Sequence, residues 1–110
     1  MREVIMTPGT HIEYETSRKS ITFGDEDLTI NLKNREMDES ITIDICSDKQ
    51  GFLVIGAETG FKYVAQVEIP AREYTETPGE PDEEGNVHTE RTPVPFDIDR
   101  CTIYLWALEG

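Results

Sequence analysis

Apolar and polar residues alternate one by one through most of this chain, and that period of two is the strongest constraint on what it can form. Ile12 and Tyr14 alternate with Glu13 and Glu15, and Ile21 and Phe23 with Ser20 and Thr22. Leu28, Ile30 and Leu32 alternate with Thr29 and Asn31, and Ile41, Ile43 and Ile45 with Thr42 and Asp44. Successive side chains of a strand point to opposite faces, so each run buries one face and wets the other. The residue types agree, because isoleucine fills the apolar positions and threonine many of the polar ones. An amphipathic helix needs apolar residues at i, i+3, i+4 and i+7, and no window of helical length has them.

Turn signals separate the runs. Thr7-Pro8-Gly9-Thr10 closes a short apolar run of Val4, Ile5 and Met6. Gly24-Asp25-Glu26-Asp27 reads as a tight hairpin loop, and residues 33–39 as a longer loop or a single helical turn. Ser47-Asp48-Lys49-Gln50-Gly51 turns the chain before residues 52–55, and Ala57-Glu58-Thr59-Gly60 suits a second hairpin. From residue 61 the alternation predicts the longest strand, with Phe61, Tyr63, Ala65, Val67 and Ile69 on one face and Lys62, Val64, Gln66 and Glu68 on the other. Pro70 lacks the N–H that a ladder needs and marks its end or a bulge.

Residues 76–86 hold five acids, two prolines and two glycines with no base, and almost nothing there can be buried. The expectation is an exposed, mobile acidic loop over residues 75–92. Gly85 and Asn86 would turn it, and residues 87–91 would return opposite residues 72–75, making a protruding hairpin with a disordered tip. The last run places Cys101, Ile103, Leu105 and Ala107 on one face and Thr102, Tyr104, Trp106 and Leu108 on the other. Both faces are apolar towards its end, so this strand is either central and covered twice or touches a partner. Tyr104, Trp106 and Leu108 are the candidate interface residues.

Seven or eight short strands with turns between them predict a small antiparallel β-sandwich carrying one long acidic hairpin, with a small β-barrel as the alternative. A length of 110 residues suits a single β domain. No apolar run approaches the length of a membrane helix, and the short first run is cut by Pro8 where a signal peptide would continue. The expectation is therefore a cytoplasmic protein. Its two cysteines, Cys46 and Cys101, lie in strand patterns without metal-ligand spacing, which suits buried reduced thiols.

The formal net charge is −13, from 23 acidic and 10 basic side chains. Such a field repels phosphate backbones and anionic lipid, and the only adjacent basic pair is Arg18-Lys19, so neither nucleic acid nor membrane is expected as a partner. Catalytic signatures are sparse. The two histidines, His11 and His88, stand without a motif, no Gly-x-Ser-x-Gly elbow occurs, and no phosphate-binding glycine loop occurs. No cofactor is expected. Two acidic triplets, Asp25-Glu26-Asp27 and Asp82-Glu83-Glu84, offer hard oxygen ligands of the kind Ca²⁺ or Mg²⁺ takes, but neither carries the EF-hand spacing.

These features favour a non-enzymatic protein-interaction or structural module, docking onto other subunits or onto copies of itself. By analogy of fold it would be a subunit of a bacterial, phage or mobile-element assembly. The competing expectation is a β-sandwich that binds carbohydrate through its aromatic residues or a divalent cation through its acidic loops.

Overall fold

Alternation becomes pairing wherever two such runs meet. The structure, a computed structural model, describes residues 1–56 and 62–108; the hairpin expected at residues 57–60 and the side chain of Phe61 lie outside them. Ten strands form among the described residues: β1 (Arg2–Ile5), β2 (Tyr14–Thr16), β3 (Ser20–Phe23), β4 (Leu28–Asn31), β5 (Ile41–Ser47), β6 (Leu53–Ile55), β7 (Lys62–Ile69), β8 (Tyr74–Pro81), β9 (Val87–Pro93) and β10 (Thr102–Leu105). Two 3-10 turns, Lys33–Arg35 and Ile98–Arg100, complete the regular elements, and the described residues contain no α-helix.

The strands form three sheets, in the orders β1-β10-β7-β5-β6, β2-β3-β4 and β8-β9, and none closes into a barrel. The first sheet is mixed, which corrects the expectation of purely antiparallel pairing. β10 pairs antiparallel with β7, but β1 joins its other edge in parallel, with Arg2 opposite Thr102 and Ile5 opposite Leu105. The short first run that Thr7-Pro8-Gly9-Thr10 cuts off is thus a fifth strand of this sheet.

The apolar residues of the alternating runs meet in one core. Ile21, Phe23, Ile30 and Leu32 from the β3–β4 hairpin cluster with Ile43, Ile45, Ala65, Val67, Ile69, Ile103 and Leu105 from the larger sheet. The polar residues between them stay at the surface, and no polar or charged residue among those described is buried. The hairpin forms at the four residues expected. Gly24 and Glu26 both adopt positive φ, +65° and +62°. A Cβ at Gly24 would stand 2.3 Å from Asp27 Oδ2, so both the backbone and the space favour glycine there.

One face assignment needs correction. A bulge interrupts β5–β7 pairing: Ile45 stands opposite Ala65, but Cys46 stands opposite Tyr63. The extra residue, Val64, joins the core, and Tyr63 turns outward, 39% exposed. Strict alternation cannot carry this step, because a bulge shifts the phase by one residue.

The molecule is long: its principal extents are 66 × 24 × 23 Å, and its radius of gyration is 18.7 Å. A compact chain of this length would have about 13 Å. The β8–β9 ribbon accounts for the difference.

Phe23 is fully buried where the β3–β4 hairpin meets the larger sheet. Phe23→Ala is expected to cost ~3–5 kcal/mol of unfolding free energy in urea titration, through lost burial and the cavity left behind. A loss well under ~1 kcal/mol would mean that this ring does not bridge the two sheets.

Candidate functional site

The segment expected to be a mobile loop is a paired ribbon almost to its end. Tyr74 stands opposite Pro93, Thr75 opposite Thr92, Glu76 opposite Arg91, Thr77 opposite Glu90, Pro78 opposite Thr89 and Pro81 opposite Val87. Residues 87–91 therefore pair with residues 76–81 and not with residues 72–75, so the hairpin is longer than expected. A register shift between Pro78 and Pro81 absorbs the extra residues, and Gly79 lies against the opposite backbone, where a Cβ would come within 2.7 Å of the His88 carbonyl oxygen. Backbone hydrogen bonding in the ladder needs no apolar side chains, and composition alone therefore underestimates the order of this segment.

Its tip is built on one aspartate. Asp82 Oδ1 accepts hydrogen bonds from the backbone N–H groups of Glu84 and Asn86, each at 2.9 Å. Asp82 N–H donates to the Asn86 carbonyl (2.8 Å), Gly85 N–H donates to the Asp82 carbonyl (3.0 Å), and Gly85 takes φ +85°. His88 Nε2 lies 3.2 Å from Asp82 Oδ2. The turn expected at Gly85 and Asn86 is present, and Asp82 braces it as an Asx turn. The Asn86 N–H, with smaller help from His88 and the Glu84 N–H, holds the Asp82 carboxyl below its ordinary value of 3.8.

The root of the ribbon is tied to the core by charged groups. Arg72 donates to the Glu36 carbonyl at 2.8 Å and pairs with the Glu36 carboxylate at 3.4 Å; that side chain is only 8% exposed, although Glu36 as a whole residue is half-buried. Arg72 also faces Asp38 at 3.8 Å, and the Tyr74 hydroxyl donates to the same Asp38. From the Ile98–Arg100 turn, Arg100 pairs with Glu73 at 3.1 Å, and on β9 the Arg91 guanidinium sits 4.3 Å above the Tyr74 ring. Val94 N–H donates to the Glu73 carbonyl at 2.8 Å and closes the base. Beyond this clasp the ribbon is almost wholly exposed on both faces. It carries Glu76, Glu80, Asp82, Glu83, Glu84 and Glu90 against Arg91 as its one Lys or Arg.

The three candidate interface residues separate. β10 is an inner strand, flanked by β1 and β7, and Tyr104 and Trp106 are half-buried on the face opposite Ile103 and Leu105. Trp106 packs on Tyr63 at 5.7 Å between ring centroids. Tyr104 stands in register with Val4 on one side and Gln66 on the other, and Gln66 donates to Asp44 at 2.8 Å. Leu108 instead packs against the core, its N–H donating to the Thr10 carbonyl at 2.8 Å. The strand ends at Leu105, so the alternation that put Leu108 beside Trp106 no longer applies there.

The two acidic triplets lie on different turns. Asp25, Glu26 and Asp27 form the β3–β4 loop, and Asp82, Glu83 and Glu84 form the ribbon tip. Among the described residues no group of three or more His, Cys, Asp or Glu side chains converges as a metal site would require. His11 Nε2 lies 2.6 Å from the Thr7 carbonyl, far along the chain from the pair that His88 makes with Asp82. Cys46 and Cys101 are free and buried. Burial raises both thiols, Cys101 to about 11, so the nucleophilic thiolate is scarce near neutral pH. No helix among the described residues is long and apolar enough to cross a membrane.

Comparison with protein-family models, with curated proteins and with solved structures found no match to this chain.

The depressed Asp82 carboxyl sets a pH expectation. A group whose folded value is below its unfolded one contributes stability above the unfolded value and loses it as pH falls through the folded one. Order at the ribbon tip is therefore expected to be full above the ordinary aspartate range and to fade as pH drops below 3.8 towards the lower folded value. Amide chemical shifts of Glu84 and Asn86 followed by NMR would show it. Shifts that titrate at the ordinary aspartate value would mean that the carboxylate does not brace the turn.

Proposed function

We propose that this chain is a non-enzymatic protein-interaction or structural module, in which a small β-sandwich serves as the base and the acidic ribbon as the contact element. The core shared by the β2-β3-β4 sheet and the larger sheet supports the sandwich reading, with the two sheets as its layers. The observation that carries the functional reading is the ribbon itself. Tyr74–Pro81 and Val87–Pro93 project from a charged clasp, exposed on both faces, and make the molecule 66 Å long. An isolated two-stranded hairpin is marginal in water, and a chain that builds one, braces its root and caps its tip has given it a surface to present. The net charge of −13 supports a protein partner with a basic surface over nucleic acid or anionic lipid.

A photo-reactive residue placed at Glu83, on the tip, tests this reading. It is expected to give one discrete protein adduct in cells, and the same residue placed at Glu68, on the outer face of the larger sheet, is expected to give none. Adducts that appear equally from both positions, or from neither, would sink it.

The Tyr63–Trp106 ring pair supports a second reading, a carbohydrate-binding module, because neighbouring aromatic faces suit stacking on sugars. A ligand that binds only the folded state raises its melting temperature. A glycan that does so for the native chain and not for Trp106→Ala would select this reading, and a panel without any such glycan would remove it.

A further inference from the structure

The sequence has one adjacent basic pair, but folding enlarges it. The Lys19 carbonyl accepts hydrogen bonds from the N–H groups of Leu32 (2.8 Å) and Lys33 (3.1 Å), so the return of the β3–β4 hairpin brings the Lys33–Arg35 turn beside Arg18 and Lys19. Arg18, Lys19 and Lys33 line a groove of about 490 Å³ together with Ser17, Pro95 and Phe96, and Arg35 lies on the same 3-10 turn. Phe96 packs against the core and fixes one wall. The remaining arginines near the ribbon are engaged: Arg72 with Glu36 and Asp38, Arg91 with Glu76 at 3.8 Å, and Arg100 with Glu73. By contrast, no carboxylate among the described residues lies within salt-bridge distance of Arg18, Lys19, Lys33 or Arg35. Four cations without a carboxylate partner among the described residues, gathered on a chain of net charge −13, form a local field opposite to that of the whole.

The geometry points to a second copy of this chain as the occupant: the acidic tip of one molecule's ribbon seats in the basic groove of the next. This rests on the reading of the ribbon as a contact element and names its partner. Three observations carry it. The first is charge, because Glu83 and Glu84 at the tip, with Glu80 and Glu90 behind them, complement Arg18, Lys19 and Lys33. The second is reach. Pro95 and Phe96 stand just past the end of β9 at Pro93, separated from it by Val94, so the groove lies at the ribbon's root, and the tip stands about 25 Å away at ~3.3 Å per residue. A tip held out by a braced ribbon cannot fold back into its own groove, which leaves the groove to another molecule's tip. The third is shape, because a groove of a few side chains' volume with one aromatic wall takes a narrow turn and not a broad surface. Tip and groove are different surfaces, so the contact is head-to-tail and each molecule offers one of each. Such contacts make rings when they close and open chains when they do not. A contact this small is weak per pair and gains strength from repetition.

Charge reversal tests it on the full-length chain by sedimentation velocity. The native protein is expected to form species larger than a monomer as its concentration rises, and raising salt from about 0.02 M to about 0.5 M is expected to weaken the association about tenfold or more. A groove variant (Arg18→Glu, Lys19→Glu, Lys33→Glu) and a tip variant (Glu83→Lys, Glu84→Lys) are each expected to be monomeric. Asp82 is left intact so that the turn keeps its brace. Mixing the two variants restores both contacts, since the reversed tip meets the reversed groove and the native tip meets the native groove. One chain carrying both sets of changes is expected to associate again. Circular dichroism and thermal melting of each variant separate lost contact from lost fold, and recovery on mixing is a result that misfolded chains cannot give.

A native chain that stays monomeric at low salt and high concentration would overturn the inference. So would association unchanged in either variant, or folded variants that fail to recover when mixed. Saturable binding of short single-stranded DNA by a monomeric native chain, lost in the groove variant, would also overturn it and would assign the groove to phosphates. A monomer whose tip still cross-links to one other protein in cells would overturn this inference alone and leave the interaction-module reading in place.

Discussion

The structure depends on the burial of the β3–β4 hairpin's apolar face against the larger sheet. Ile21, Phe23, Ile30 and Leu32 supply one side of that contact, and Ile43, Ile45, Val67, Ile69 and Ile103 supply much of the other. Neither sheet is stable alone, because each would leave an apolar face in water. The contact is dry and without polar compromise: no described polar residue is buried, and no described buried side-chain nitrogen or oxygen lacks a partner. Even the two thiols behave as small hydrophobes here. Stability therefore comes from packing, and the surface is free to carry a large excess of one charge.

The ribbon follows a different rule. It buries little, so its order comes from ladder hydrogen bonds, from cross-strand pairs such as Thr75 with Thr92, and from its two ends. At the root, Arg72 connects it to Glu36 and Asp38, and Arg100 reaches Glu73 from the Ile98–Arg100 turn. At the tip, Asp82 holds the turn. Arg72, Arg91 and Arg100 serve at the root or along the ribbon, while Arg18, Lys19, Lys33 and Arg35 remain unpaired with described carboxylates. This division leaves an acidic projection and a basic hollow on one molecule.

Much of this was legible in the residues. Alternation marked β3, β4 and β5 and the core residues they carry, because a half-buried strand writes its two faces into sequence directly. Gly24 to Asp27 marked their hairpin for an equally local reason. What escaped was nonlocal. The bulge at Val64 depends on the partner strand, and the parallel seat of β1 depends on a strand about a hundred residues away. The ribbon's length was hidden because backbone pairing leaves no hydrophobic trace. Lys33 and Arg35 looked unremarkable until the hairpin carried them back to Arg18 and Lys19. Trp106 was placed on the outer face by parity, and parity lapsed two residues later, where the strand had already ended.

The position of β10 has a consequence for how such a chain is made. It is synthesised after every other described strand, yet it occupies the inside of the five-stranded sheet, between β1 and β7. Until it leaves the ribosome, β1 has no neighbour and β7 offers an unsatisfied edge, with Ile43, Ala65 and Val67 incompletely covered. Strand edges left open in this way invite pairing with other nascent chains. The β3–β4 hairpin, whose partners are only a few residues apart, is complete long before. The core thus starts from a local turn, and its larger sheet is joined up only when a later strand enters a waiting slot, a step whose timing falls to translation.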